Sequence, residues 1–313
     1  MNAPDKKFVA VMITPFNLKA KVDWEALNSL IGFYMAAGVK GLFANCLSSE
    51  MFSISEDERL EITKYIVDRV KGRVPVVATG SFGLTIEDKA DFTKKIYYTG
   101  IDAAIMVTGH FANVDDADDV LLRNFDKMFQ LTGNIPLGMY ECPAPYKRII
   151  SAGLFKQLLE AGRLIYHKDT SIIQDQVKEK LAILKATGNN TLEFYDAHSP
   201  NAMFSLRHGA KGMSSISGNF YPEILVWMCN NANNPDKQED VKWLQSEISR
   251  VDPLIHQAYP MSAKYFLAKR GLPIRTISRT FALELTIAQK KTLDDIYTDF
   301  LGWCDRLGIT KAI

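Results

Sequence analysis

The residue in this chain best placed to do chemistry is Lys168, in Leu164-Ile165-Tyr166-His167-Lys168-Asp169-Thr170-Ser171. A lysine closing a short apolar run is costly to bury, because burial disfavours its ammonium form. That same desolvation raises the neutral fraction, and a neutral amine can attack a ketone to form an imine. An ion pair with the neighbouring Asp169 is the competing reading, since structural ion pairs also perturb lysines. Tyr140 closes the preceding apolar run, where its phenol can pass a proton to and from a carbinolamine; a buried tyrosine with a satisfied hydroxyl is the plainer alternative. In Asn45-Cys46-Leu47-Ser48-Ser49-Glu50, the hydroxyls of Ser48 and Ser49 and the nearby backbone amides can hold a carboxylate, or simply shape a turn. His110, Asp196 and His198 follow other apolar runs and are candidates for the distal part of a substrate. Ser214 and Ile216 belong to the last such run and complete the substrate-binding set.

Eight short runs rich in β-branched residues alternate with helical patterns. They are Phe8–Ile13, Gly41–Ala44, Val74–Ala78, Ala103–Val107, Pro136–Tyr140, Leu164–Lys168, Leu192–Asp196 and Gly212–Ile216. Between them, helices are expected near 24–37, 56–70, 86–99, 115–131, 151–161, 173–186, 200–208 and 221–231. Asp23 is a start signal for the first, and Ser55-Glu56-Asp57-Glu58 reads as a capping box. Gly38, Gly72, Gly100 and Gly188 are stop signals. Strict alternation implies right-handed crossovers and a parallel sheet. Eight units favour closure, so the fold class is α/β, a (β/α)8 TIM barrel, over 1–231. No GxGxxG follows the first run, which counts against a dinucleotide-binding sheet. Helical patterns at 237–249, 252–269 and 283–307 predict a C-terminal helical extension, 232–313, packed on the barrel as one structural unit. In such barrels the strand C-termini carry the chemistry. Adjacent strands lie about 4.8 Å apart, so Tyr140 and Lys168 can meet over the barrel mouth.

With 37 basic against 36 acidic side chains the chain carries no basic excess, which excludes the usual footprint of a nucleic-acid partner. No run approaches the ~20 apolar residues of a membrane span. Cys46, Cys142, Cys229 and Cys304 form no CxxC pair, and the five histidines form no HxH or HxxxH pair. The expectation is a cytoplasmic enzyme with no metal and no cofactor.

Taken together, Ile13-Thr14-Pro15-Phe16, the Gly38-x-x-Gly41 to Glu50 block, Arg73-Val74-Pro75-Val76, Tyr140-x-x-Pro143 and Lys168-Asp169-Thr170-Ser171 resemble the dihydrodipicolinate synthase / N-acetylneuraminate lyase family of class I Schiff-base aldolases. The resemblance runs from about Phe8 to Asn219. It implies that Lys168 condenses with pyruvate or another 2-oxo acid, that Tyr140 shuttles the proton, and that the hydroxyls after the second strand hold the carboxylate. It also implies a homotetramer built as a dimer of dimers. Three positions depart from the family pattern. Leu47 stands where the family has its first hydroxyl, Phe111 where the synthase has a relay tyrosine, and Pro145 where the synthase has a carboxylate-binding arginine. None of these side chains can donate a hydrogen bond, which speaks against the synthase reaction.

The expected activity is therefore a carbon–carbon or carbon–oxygen lyase. It would release pyruvate from, or add it to, a 2-keto-3-deoxy sugar acid or similar hydroxy-oxo acid. Dehydration by the same imine, or a non-catalytic 2-oxo-acid binder, are the alternatives. A metal-dependent hydrolase has no matching ligand spacing.

Overall fold

A computed structural model of the chain describes residues 6–281 and 284–312. Eight parallel strands close into one barrel in sequence order: β1 Lys7–Val11, β2 Gly41–Asn45, β3 Val76–Thr79, β4 Ala103–Val107, β5 Leu137–Tyr140, β6 Leu164–Asp169, β7 Glu193–Asp196 and β8 Gly212–Met213. Closure leaves no unpaired strand edge. The helices α1 Trp24–Ala36, α2 Glu56–Val70, α3 Ile86–Tyr97, α4 Asp118–Thr132, α5 Ala152–Glu160, α6 Gln174–Ala186, α7 Ala202–Arg207 and α8 Pro222–Asn231 follow the strands in turn. The start signals work as expected. Asp23 Oδ1 accepts from Ala26 N at 3.1 Å. Ser55 and Glu58 satisfy each other's backbone N–H at 3.2 and 3.0 Å.

Period-two alternation sorts the strand side chains into two cores. Val9, Val11, Phe43, Ile105, Tyr140, Tyr166 and Tyr195 fill the barrel interior. Ala10, Leu42, Ala104, Met139 and Phe194 pack outward under the helices. In β6 the alternation turns Lys168 with Tyr166 toward the interior, while His167 and Asp169 face the helical layer. Gly138 of β5 is required by close packing, since a Cβ there would lie 2.6 Å from Ile105 Cδ1 and 2.7 Å from Tyr166 Cβ.

The eighth strand is shorter than expected. After Met213 the chain leaves the sheet at Ser214 and Ser215 and enters a single turn, Ile216–Asn219. Ser199 donates its hydroxyl to Ser215 and accepts from Ser217, each at 2.7 Å, which holds it there. The C-terminal extension contains α9 Gln238–Ile255, α10 Met261–Lys269 and α11 Ile287–Leu307, whose apolar faces join the outer core. The helix expected over 252–269 is in fact divided. Helix α9 runs on through Pro253, and the break falls at 256–260, where Ala258 takes a left-handed φ of 54°. Burial of the apolar side chains of Val251 and Ile255 outweighs the single backbone bond that a helical proline removes. The expected start of the last helix at 283 lies outside the described residues; α11 begins after Thr286, which caps it with Gln289.

Candidate active site

Parallel pairing of β5 with β6 sets Tyr140 directly opposite Lys168. Lys168 is 3% exposed, with Nζ 4.4 Å from the Tyr140 ring centroid and 5.6 Å from that of Phe43. Among the described residues no hydrogen bond or ion pair reaches that nitrogen; Asp169, its sequence neighbour, faces the other side of the strand and pairs elsewhere. Burial pushes the Lys168 pKa below the ordinary lysine value, with the Cys46 and Cys142 thiols opposing only in part. Burial likewise holds the Tyr140 phenol well above its usual range, so it carries its proton at neutral pH. The Cys142 thiol is pushed up to about 11 by burial and is no competing nucleophile.

Both side chains line a cavity of about 390 Å³ at the C-terminal end of the barrel. Leu47, Ser48, His198, Ser214 and Ile216 share its wall. The remaining candidates lie elsewhere, and each has a physical reason. Ser49 is absent from the wall because its hydroxyl donates to Met12 O at 2.7 Å and accepts from Cys46 N at 3.1 Å, shaping the turn instead of meeting a ligand. His110 turns to a separate pocket with Phe52, Phe82 and Lys89, its Nδ1 donating to Ser81 O at 2.6 Å. Phe111 is buried edge-on against Phe125, 4.8 Å between centroids. Asp196 points away from the cavity, accepting from Ser205 Oγ and from His198 N at 2.8 Å. Burial raises its pKa to about 7, with the Ser205 hydroxyl opposing.

Several wall residues escaped the sequence reading. Glu50 has a left-handed φ of 59°, and its carboxylate accepts from Lys264 Nζ at 2.6 Å, Ser278 Oγ at 2.8 Å and Arg279 N at 2.7 Å. This anchor draws 278–281 across the cavity, where Thr280 and Phe281 join the wall. Tyr259 and His256 arrive from the break between α9 and α10, and Lys147 from the loop after β5. The only local signal for Tyr259 was the Tyr-Pro dipeptide, which disfavours continued helix.

Behind the site, Glu141, His167 and Asp169 gather in the outer layer, a donor set that could ligate a metal ion. Their cation is already present. Lys180 of α6 places Nζ 2.6 Å from both Glu141 Oε1 and Asp169 Oδ2. The flanking charges raise the Lys180 pKa against its burial. Asp169 stays ionised despite burial, because His167 and Lys180 hold its pKa below the usual carboxylate range. Glu141 also accepts from Ile150 N and Thr170 N at 2.9 Å each. Glu141 follows Tyr140 and Asp169 follows Lys168, so this network clamps the two strand ends that carry Tyr140 and Lys168.

The sequence profile of the Dihydrodipicolinate synthetase family matches residues 5–299. The 4-hydroxy-tetrahydrodipicolinate synthase of Oceanobacillus iheyensis is 22% identical over 294 residues, covering 94% of this chain and 97% of its own. The enzyme of the same name from Ligilactobacillus salivarius is 24% identical over 296 residues, covering 91% and 98%. Among solved structures, a dihydrodipicolinate synthase superposes with a TM-score of 0.82 at 23% identity, covering 95% of this chain and 99% of its own. A prophage protein of the dihydrodipicolinic acid synthase family from E. coli K12, solved in complex with pyruvate, does so with a TM-score of 0.85 at 20% identity, covering 95% and 98%.

Proposed function

Because the chain belongs to the Dihydrodipicolinate synthetase family, we propose that it is a Schiff-base lyase in which Lys168 condenses with the ketone of a 2-oxo acid. One observation carries this reading. An unpaired lysine, almost wholly enclosed, stands beside a protonated phenol at the wall of a cavity large enough for a small oxo acid.

The neutral Lys168 amine adds to the C2 carbonyl of the substrate. Tyr140 delivers its proton to the carbinolamine oxygen, water leaves, and the iminium forms. The phenolate so produced then takes the proton of a C4 hydroxyl. The C3–C4 bond breaks, an aldehyde departs, and the electron pair passes into the iminium to give an enamine. Protonation at C3 and hydrolysis return pyruvate and the free lysine. Dehydration uses the same iminium, with loss of a C3 proton and a C4 hydroxyl.

The substrate class follows from the walls. A 2-keto-3-deoxy sugar acid needs a polar partner for each buried hydroxyl, because an unmatched one costs about 1–3 kcal/mol. Beyond the reactive pair the cavity offers a largely apolar wall, with Leu47, Phe52, Pro143, Ile172, Ile216 and Phe281, and only a few polar groups, among them Ser48, Ser214, Tyr259 and Thr280. Such walls suit a similar hydroxy-oxo acid whose aldehyde portion is largely apolar. Leu47, Phe111 and Pro145 support an activity other than the lysine-pathway synthase. The exposed side chains of Leu84, Tyr98 and Val114 support an assembly, for which a homotetramer of two dimers is proposed. No helix among the described residues is long and apolar enough to cross a membrane, and a cytoplasmic location is proposed.

The test is borohydride reduction with pyruvate followed by peptide mapping, together with condensation assays pairing pyruvate with apolar and polyhydroxylated aldehydes. A pyruvate adduct on Lys168 and a preference for apolar aldehydes are expected. Absence of that adduct would remove the Schiff-base reading. A preference for polyhydroxylated aldehydes would restore the sugar-acid substrate, and an adduct with no turnover would leave a binder.

A further inference from the structure

Tyr259 has no part in the chemistry above, yet its hydroxyl lies in the cavity wall beside Ser48. The residue is partly exposed, with its hydroxyl end enclosed. The direction in which that hydroxyl points can be deduced from its neighbours. Asn219 Nδ2 lies 2.8 Å from Val11 O and 2.7 Å from the Tyr259 oxygen. A backbone carbonyl can only accept, so the amide nitrogen of Asn219 must face Val11, and the same nitrogen donates to Tyr259. The amide oxygen is occupied by the Tyr34 hydroxyl. Tyr259 is thus an acceptor toward Asn219 and toward the Ser48 hydroxyl, and its own proton is left to point into the cavity. Burial holds that phenol well above its usual pKa, so the proton is retained at neutral pH.

A carboxylate attached to the carbon joined to Lys168 needs donors within one residue's reach of that lysine. The Leu47 side chain supplies none. The Thr170 hydroxyl is committed to Glu141 O at 2.5 Å, and Glu50 is an anion held by Lys264. Ser48 and Tyr259 are adjacent, and the Tyr259 phenol stands near enough to Tyr140 to raise its pKa further. We infer that Tyr259, carried in by the C-terminal extension, is a substrate-binding residue whose O–H, with the Ser48 hydroxyl donating to its oxygen from behind, holds the carboxylate of the bound 2-oxo acid in place of the hydroxyl missing at Leu47. The inference rests on the Schiff-base reading for where the carboxylate lies. It also gives the extension a direct part in the site.

The experiment titrates pyruvate and its neutral analogue pyruvamide against borohydride-trapped adduct in the wild type and in Tyr259→Phe. Phenylalanine keeps the ring and removes the hydroxyl, and the lost acceptor for Asn219 and Ser48 affects pyruvate and pyruvamide alike. The pyruvate concentration for half-maximal trapping should rise at least about tenfold, the equivalent of one hydrogen bond to a charged group, while that for pyruvamide stays within twofold. An unchanged pyruvate titration, or an equal rise for both compounds, overturns the inference. If the wild type forms no adduct on Lys168, the Schiff-base reading fails separately. Calorimetric binding of pyruvate to wild type and Tyr259→Phe then decides the role of Tyr259 alone, with equal affinities counting against it.

Discussion

Replacing Lys180 by methionine isolates what the buried ion network behind the site contributes. The ammonium sits 2.6 Å from each of two carboxylates that have no solvent exposure. Removing one partner of a buried pair costs about 3–5 kcal/mol. Here the loss has a ceiling, because one of the two carboxyls can take up a proton and share it with the other. At pH 7 that uptake costs about 1.4 kcal/mol for each of the three units above an unfolded pKa of about 4, roughly 4 kcal/mol in all. At pH 5 it costs only about 1.4 kcal/mol.

The sign follows from the proton. In the variant the shared carboxyl has a raised folded pKa, so the folded state keeps a proton that the unfolded chain releases above about pH 4. The deficit relative to wild type therefore grows with pH across the range 4–7. In the wild type, Lys180 and His167 hold the Asp169 pKa down, so their contribution is present above the ordinary aspartate range and is lost only in acid. Urea denaturation followed by circular dichroism at pH 5, 6 and 7 measures the difference directly. At about 2 °C per kcal/mol the pH 7 deficit also appears as a melting shift of roughly 8 °C. An equal deficit at pH 5 and pH 7, or one below about 1 kcal/mol at pH 7, refutes the reasoning. The same variant should slow imine trapping, since Glu141 and Asp169 fix the strand ends that carry Tyr140 and Lys168.

The rate of imine formation should rise with pH and level off well below the ordinary lysine pKa, because burial favours the neutral amine of Lys168; a rate still climbing at pH 10 contradicts this. Tyr140→Phe should lower kcat by about 10²–10⁴-fold while Lys168 still forms a trapped adduct, and wild-type turnover in that variant would remove the phenol from the proton path. Exhaustive chelation should leave turnover and melting temperature unchanged, since Lys180 occupies the cation position between Glu141 and Asp169; loss of either on chelation would show that a metal ion takes part.

Much of this molecule was legible along the chain. Strand alternation, helix caps such as Ser55 with Glu58, and glycine stops depend on residues a few positions apart, so their physics is local. The pairing of Tyr140 with Lys168 was legible for a related reason, because both end consecutive strands of one parallel sheet. Tertiary structure decided which side chains reach the cavity. Ser49, His110, Phe111 and Asp196 look no different in sequence from Ser48 and His198, yet their hydrogen bonds or packing turn them elsewhere. Tyr259 reaches Ser48 across more than two hundred residues because the break after α9 falls beyond Pro253, which outer-core burial keeps helical. Lys180 meets Glu141 and Asp169 because α6 folds back over β5 and β6. Such meetings are set by barrel closure and by the pairing of buried charges, and neither leaves a periodic mark in the chain.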